Sequence, residues 1–171
     1  MMKDRFTFAV ASLADQPMIE RWVKRPHVSE WLHGEGLQNT LDSLTQSFEG
    51  ATDRQHWIAF HNGTPFGYLL TSEVDQSDEW VSSIEFSGKK GISLDIFICE
   101  TDYLGQGFGT KMIVEFINTH LADVSDVLID PEVKNRRAVH VYQKVGFKIV
   151  ETFIAPWHPV PHYLMHLCMN K

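Results

Sequence analysis

Between Ile92 and Ala155 the apolar residues switch period repeatedly, and no other feature of the chain restricts its fold as tightly. ISLDIFIC, Ile92 to Cys99, is an apolar run of strand length. A glycine-rich stretch follows. From about Thr110 to Leu121 the residues Met112, Ile113, Phe116, Ile117 and Leu121 then fall at helical spacing. DVLID reads as a strand. Asn135 can cap a helix through Ala138, Val141, Tyr142 and Val145, with Gly146 at its end. FKIVETFIA and HYLMHLCM read as closing strands around an APWHPVP turn. Strand, helix, strand, helix, strand is an α/β order.

The first half adds antiparallel signals. FTFAVAS, Phe6 to Ser12, alternates as a strand does. Asp15 can cap a helix through Met18, Ile19, Trp22 and Val23, which Pro26 ends or kinks. HVSEWL reads as a short helix, and Thr40 as the cap of a third, LDSLTQSF. HWIAF and FGYLLTSEV read as strands joined by an Asn-Gly turn. EVDQSDEWVSSIEFSGKKG reads as a long loop, and loops of that length often carry function.

The chain's 171 residues imply one domain, spanning 1–171. Twenty-two acids against 15 bases give a net charge of −7, which disfavours a nucleic-acid partner and suits a cationic one. No apolar run approaches the ~20 residues of a membrane span, and MMKDRFTF does not read as a signal peptide. Cys99 and Cys168 both sit in apolar stretches and read as buried thiols, so a cytoplasmic protein is expected, a monomer or homodimer without a membrane partner.

In LGQGFG, Gly105, Gly107 and Gly109 stand at alternate positions between strand and helix. A helix start there offers unpaired N–H groups and a partial positive charge, which together bind an anion. Gly107 and Gly109 lack the Cβ that would block a phosphate. No Gly-Lys-Ser/Thr follows, so this is not a Walker loop, and the spacing departs from the dinucleotide fingerprint. Taken alone, the stretch is equally a tight turn without a ligand.

A second segment, DPEVKNRRAVHVYQKVGF from Asp130 to Phe147, bears on that choice. Together the two segments resemble the GNAT superfamily of N-acetyltransferases. That resemblance implies an α/β fold: a single GNAT-type domain whose mixed, mostly antiparallel central sheet of about six to seven strands is flanked by helices. It also implies acetyl-coenzyme A, its pyrophosphate held by Gly105, Gln106, Gly107, Phe108, Gly109 and Thr110, although Leu104 stands where the family carries a polar residue. By the same resemblance Asn135 contacts the pantetheine or fixes its loop, and Tyr142 lies near the thioester sulfur. HVSEWLHGEG, NGTPFGYLL and the two segments above look most like the aminoglycoside 6′-N-acetyltransferases, and also like siderophore-type acyltransferases that act on N-hydroxylated lysine. The latter tend to carry His where this chain has Asp95. A regulatory module that binds coenzyme A without catalysis is a third reading, and one that would dispense with Asp95 and Tyr142.

Acetyl transfer to an amine needs a proton acceptor, an oxyanion donor and a proton for the leaving thiolate. Asp95, an acid flanked by Leu94 and Ile96, faces a partner, a cleft or water, and the resemblance makes it the base. The resemblance also gives the oxyanion donor as the backbone N–H of Phe97 or Ile98, in a bulge, and Tyr142 as the proton donor. Asp130 either holds the substrate or caps the turn before Pro131. Trp31 and Trp80 are candidate aromatic walls, and Glu79 and Glu85 candidate acids at the mouth of the site. His158, His162 and His166 have helical ligand spacing, but Pro159 and Pro161 forbid the helix. In a strand His162 and His166 stand about 13 Å apart, so no metal is expected.

Overall fold

The computed structural model describes residues 3–32, 35–50, 52–88, 90–156 and 158–169. Trp157, in the turn expected before the last strand, lies outside them. Seven strands form one sheet: Phe6–Val10 (β1), Gln55–His61 (β2), Thr64–Val74 (β3), Gly91–Ile98 (β4), Asp126–Ile129 (β5), Lys148–Ile154 (β6) and Pro161–Cys168 (β7). Their order is β1-β2-β3-β4-β5-β7-β6. Only the β4–β5 pair is parallel, so the sheet is mixed and mostly antiparallel, as expected. The helices are Gln16–Val23 (α1), Pro26–Ser29 (α2), Gly36–Phe48 (α3), Phe108–His120 (α4) and Arg136–Val145 (α5).

Local chemistry explains most boundaries. The β2–β3 turn places Asn62 at φ 50° and Gly63 at φ 85°, the pair of left-handed residues that a two-residue hairpin wants. Asn135 caps α5 by accepting from the Ala138 amide at 3.3 Å. α1 ends at Val23, ahead of Pro26 as expected, and Pro26 begins α2 as its first residue, where its missing N–H costs nothing. Two boundary expectations need correction. Thr40 caps nothing: α3 opens at Gly36, and the Thr40 hydroxyl donates to the Gly36 carbonyl at 2.8 Å. Asp15 accepts from the Ser12 amide at 2.8 Å, so it ties back the turn preceding α1 rather than α1 itself.

The two faces of the sheet are covered differently. On one face α4 and α5 bury Met112, Ile113, Phe116, Val139 and Tyr142 against Ile92, Leu94, Val127 and Ile129. Each fully buried residue such as Phe116 stabilises by roughly 1.5–3 kcal/mol relative to exposure. The other face carries two separate clusters. Helices α1 to α3 set Ile19, Trp22, Val28 and Leu44 over Ile58, Tyr68 and Leu70. The loop between β3 and β4 sets Val81 and Ile84 over Val74, Leu128 and Leu164. Between them a strip of β4 is left uncovered. Cys99 is buried as expected, but Cys168 is exposed: it ends β7 beyond the cluster that covers Leu164.

Candidate active site

The parallel pairing of β4 with β5 lasts three rungs, Gly91↔Asp126, Ile92↔Val127 and Ser93↔Leu128. Then β5 ends and Pro131 follows, with no N–H to continue a ladder. β4 runs on beside β3 as far as Ile98. A notch therefore opens in the sheet beyond Ser93. The Cys99 amide donates to the Phe66 carbonyl at 2.8 Å, which fixes the antiparallel alternation: Phe97 turns its N–H to β3, and Ile96 and Ile98 turn theirs to the notch. Of the two expected oxyanion donors, only Ile98 faces the right way. The bulge lies two residues later than expected, where the Cys99 and Glu100 amides both donate to Phe66 O, at 2.8 and 3.2 Å. Past the bulge the carbonyls that point away from β3 are latched. Arg25 donates to Cys99 O at 2.8 Å and pairs with Glu100 at 2.9 Å, while the His27 ring bonds Ile98 O at 3.0 Å. Hydrogen bonds from Arg25 and Trp22 hold the Glu100 carboxyl below its ordinary range.

The glycine stretch stands beside the end of this notch. Gly107 precedes α4 with φ 79°, and no side chain caps the helix, so the Phe108, Gly109 and Thr110 amides have no intrahelical acceptor. A Cβ at Gly105 or Gly107 would meet no atom within 4 Å, so the space over the loop is open. Gly109 lies inside α4, where a Cβ would sit in ordinary contact with Ile98 Cδ1 at 3.4 Å and Val141 Cγ1 at 3.5 Å. The Phe108 ring is packed among Phe6, His61, Phe66 and Tyr103, at 4.9 Å from the Tyr103 ring, leaving only its amide for a ligand. Gln106 donates to the Asp102 carbonyl and stiffens the loop.

Two carboxylates face each other across the notch. Asp95 stands two residues past Ser93, and Asp130 two past Leu128, so the last rung carried forward sets them opposite on the same face of the sheet. That face is the uncovered strip. Asp95 is hemmed in by protein atoms yet reached by solvent through the cleft. Burial raises its carboxyl above the ordinary range, and the Arg54 guanidinium opposes the rise. Asp130 is pushed further, first by burial and then by the charge of Asp95. Tyr142 belongs to the helical layer on the opposite face. Burial pushes its hydroxyl up, with Asp95 and Asp130 adding to the effect, so it feels both charges through the gap in the sheet.

The remaining candidates lie further out. Trp31 is half-buried just past α2. Trp80 sits in a helical turn at Glu79–Val81 and packs near the Phe153 ring, 6.5 Å between centroids. Glu79 and Glu85 are exposed on the same loop, and the two site carboxylates respond to Arg54 and Asp95 rather than to them. That loop is fastened by a residue the sequence reading passed over. Asp126, fully buried, accepts from the Ser87 amide at 3.0 Å, from Ser125 Oγ at 2.7 Å and from the His166 ring at 2.7 Å. Burial alone would raise Asp126, but the bonds from Ser125 and His166 outweigh it and hold the carboxyl low. Also passed over were Arg54 and the buried chain in which the Ser43 hydroxyl meets His56 Nε2 at 2.9 Å and His56 Nδ1 meets the Tyr68 hydroxyl. Polar residues in the apolar strands HWIAF and FGYLL were the available signal. Among the described residues no helix is long and apolar enough to cross a membrane, and no three His, Cys, Asp or Glu side chains are grouped to hold a metal.

A helix start built for an anion, a notch beside it and a carboxylate pair on the far side suit a long anionic thioester that delivers an acyl group to an amine. The sequence profile of the acetyltransferase (GNAT) domain matches residues 12–154. The chain belongs to the GNAT acetyltransferase family. It is thus an acetyl-coenzyme A-dependent N-acetyltransferase. The crystal structure of aminoglycoside N(6′)-acetyltransferase from Legionella pneumophila subsp. pneumophila str. Philadelphia 1 is 45% identical with a TM-score of 0.86, over 99% of this chain and 95% of that one. The structure of AAC(6′)-Ib in complex with ribostamycin and coenzyme A is 27% identical with a TM-score of 0.79, over 95% and 93%. Aminoglycoside N(6′)-acetyltransferase type 1 of Klebsiella pneumoniae is 29% identical over 163 residues, 91% of this chain and 80% of that protein.

Proposed function

We propose that this acetyltransferase, acting in the cytoplasm without a nucleic-acid or membrane partner, acetylates a primary amine of a small polycationic acceptor, the 6′-amine of an aminoglycoside. The observation that carries this reading is the placement of Asp95 opposite Asp130 at the mouth of a notch that begins beside an uncapped helix start. Acetyl-coenzyme A supplies an activated acetyl thioester. The open space at Gly105 and Gly107 and the unpaired amides of Phe108, Gly109 and Thr110 fit its pyrophosphate, and Gln106 holds their loop. Asn135 fixes the start of α5 beside the pantetheine path.

Asp95 binds the reacting ammonium and takes its proton, because an ammonium has no lone pair. A carboxyl raised by burial is a stronger base than an ordinary one. The Ile98 amide, turned into the notch, donates to the developing oxyanion. Tyr142, kept protonated by its surroundings, gives its proton to the leaving thiolate. Asp130 holds a second positive group of the acceptor. Trp31, Trp80, Glu79 and Glu85 border the outer cleft.

Thiol release from acetyl-coenzyme A over a panel of kanamycin-type aminoglycosides, spermidine, N-hydroxylysine and peptides tests the reading. Aminoglycosides should be the best acceptors, with a rate that falls from low to high salt, since exposed charges are screened over about 8 Å at physiological ionic strength. Asp130→Asn should raise the acceptor KM more than it lowers kcat. N-hydroxylysine as best acceptor, with no salt dependence, would replace this reading by a siderophore-type one.

A further inference from the structure

A charge of the wrong sign for a polycation stands beside the two carboxylates. Arg54 precedes β2, and its Nε donates to Ser72 Oγ at 3.0 Å. Ser72 stands opposite Ser93 in the β3–β4 register, and Ser93 opposite Leu128 in the β4–β5 register. Arg54 is therefore tethered to the row immediately before the one that carries Asp95 and Asp130, on the same face of the sheet. On its outer side the guanidinium lines a polar cleft of about 530 Å³ with Asp42, Asp53 and Glu73, a cleft separate from the two site carboxylates. Among the described residues no carboxylate lies within salt-bridge distance of it. Its charge is not neutralised by contact, and it reaches Asp95, Asp130 and His56.

We propose that Arg54 is a specificity-determining residue of the acceptor cleft: tethered by Ser72 beside the two carboxylates, it repels ammonium groups from that end and selects acceptors whose remaining positive charge points toward the β3–β4 loop. This rests on the amine-acetylating reading above. Discrimination by a like charge is a common way to reject the wrong partner. Acceptors that put a hydroxyl near Arg54 gain a hydrogen bond, and those that put an ammonium there meet repulsion before the reacting amine reaches Asp95.

The test is Arg54→Gln, with kcat/KM measured for amines bearing one, two, and three or more positive charges. Relative to the singly charged amine, the most highly charged should improve by about fivefold or more, chiefly through KM. The KM for acetyl-coenzyme A should not move. Arg54→Lys should restore the wild-type ranking. Lys148→Gln is the control: it removes the same charge from β6, five strand spacings or about 24 Å from β2, and should leave the ranking unchanged. An unmoved ranking in Arg54→Gln, or an equal shift in Lys148→Gln, overturns the proposal while the amine-acetylating reading stands. A wild-type enzyme that acetylates none of the amines overturns both.

Discussion

Replacing Gly107 with alanine separates two tasks performed by one residue. In the protein alone Gly107 must hold φ 79° and ψ 5° so that the chain turns into α4. An L-residue pays about 1–2 kcal/mol for the left-handed conformation. No clash adds to this, because the new Cβ would meet no atom within 4 Å. For a domain of this size each kcal/mol lowers Tm by about 2–4 °C, so Gly107→Ala should melt about 2–8 °C below wild type. The second task is toward the ligand. The open space that spares the variant a clash is the space in which a pyrophosphate would meet the α4 amides. A methyl group there should weaken coenzyme A binding at least tenfold, about 1.4 kcal/mol. Gly107→Asn sharpens the contrast, since Asn adopts the left-handed conformation more easily and should recover stability without recovering affinity. Thermal melts and titration calorimetry with coenzyme A read the two effects separately. Wild-type affinity in both folded variants would refute the assignment and leave the glycines as a turn.

Asp95→Asn keeps the shape and removes the charge: turnover should fall at least tenfold, general-base contributions being typically 10²–10⁴-fold, while calorimetry gives nearly unchanged affinity for coenzyme A. The wild-type acid limb of kcat/KM should lie above the ordinary carboxylate range, because activity is lost as pH falls through a raised pKa. Burial lowers His56 from 6.5 to about 4, so between those values the unfolded chain takes up a proton that the folded one refuses. The His56 contribution to stability should therefore fall by about 3 kcal/mol from pH 7 to pH 4, read as the difference between the denaturation profiles of wild type and His56→Gln.

The features legible in the sequence are those decided within a few residues. The Asn-Gly turn, the Asn135 cap and the glycine entry to α4 depend on one or two torsions and one hydrogen bond, and each is where its residues suggest. Misreadings arise where a distant partner decides. Thr40 resembles a cap, but α3 begins a turn earlier, where Thr40, Ser43 and Leu44 have a sheet to bury against. Phe108 resembles a ligand contact until the strands bring Phe6, His61 and Phe66 to its ring. Asp126 is the plainest case. DVLID shows an acid at the start of a strand; its neighbour Ser125 is one donor, and only the β5–β7 pairing and the return of the long loop bring the other two, His166 and Ser87.

The carboxylate pair proposed for the acceptor depends on such a register. Asp95 and Asp130 are 35 positions apart, and neither spacing nor periodicity relates them. Three parallel rungs do, by fixing which residues stand opposite when the pairing stops. Because the rungs stop there, both groups are crowded by protein yet open to a ligand. Asp130 therefore carries the cost of burial and of its neighbour's charge together. A cationic acceptor relieves that cost on arrival. Its ammonium lowers both carboxyls toward their ordinary values, so binding and deprotonation of the site favour each other. A neutral acceptor gains none of this. In the proposed reaction the same pair attracts the acceptor as a charge and serves it as a base: the charge of an entering ammonium releases the site's proton to water, and the ionised Asp95 then takes a proton from the reacting ammonium.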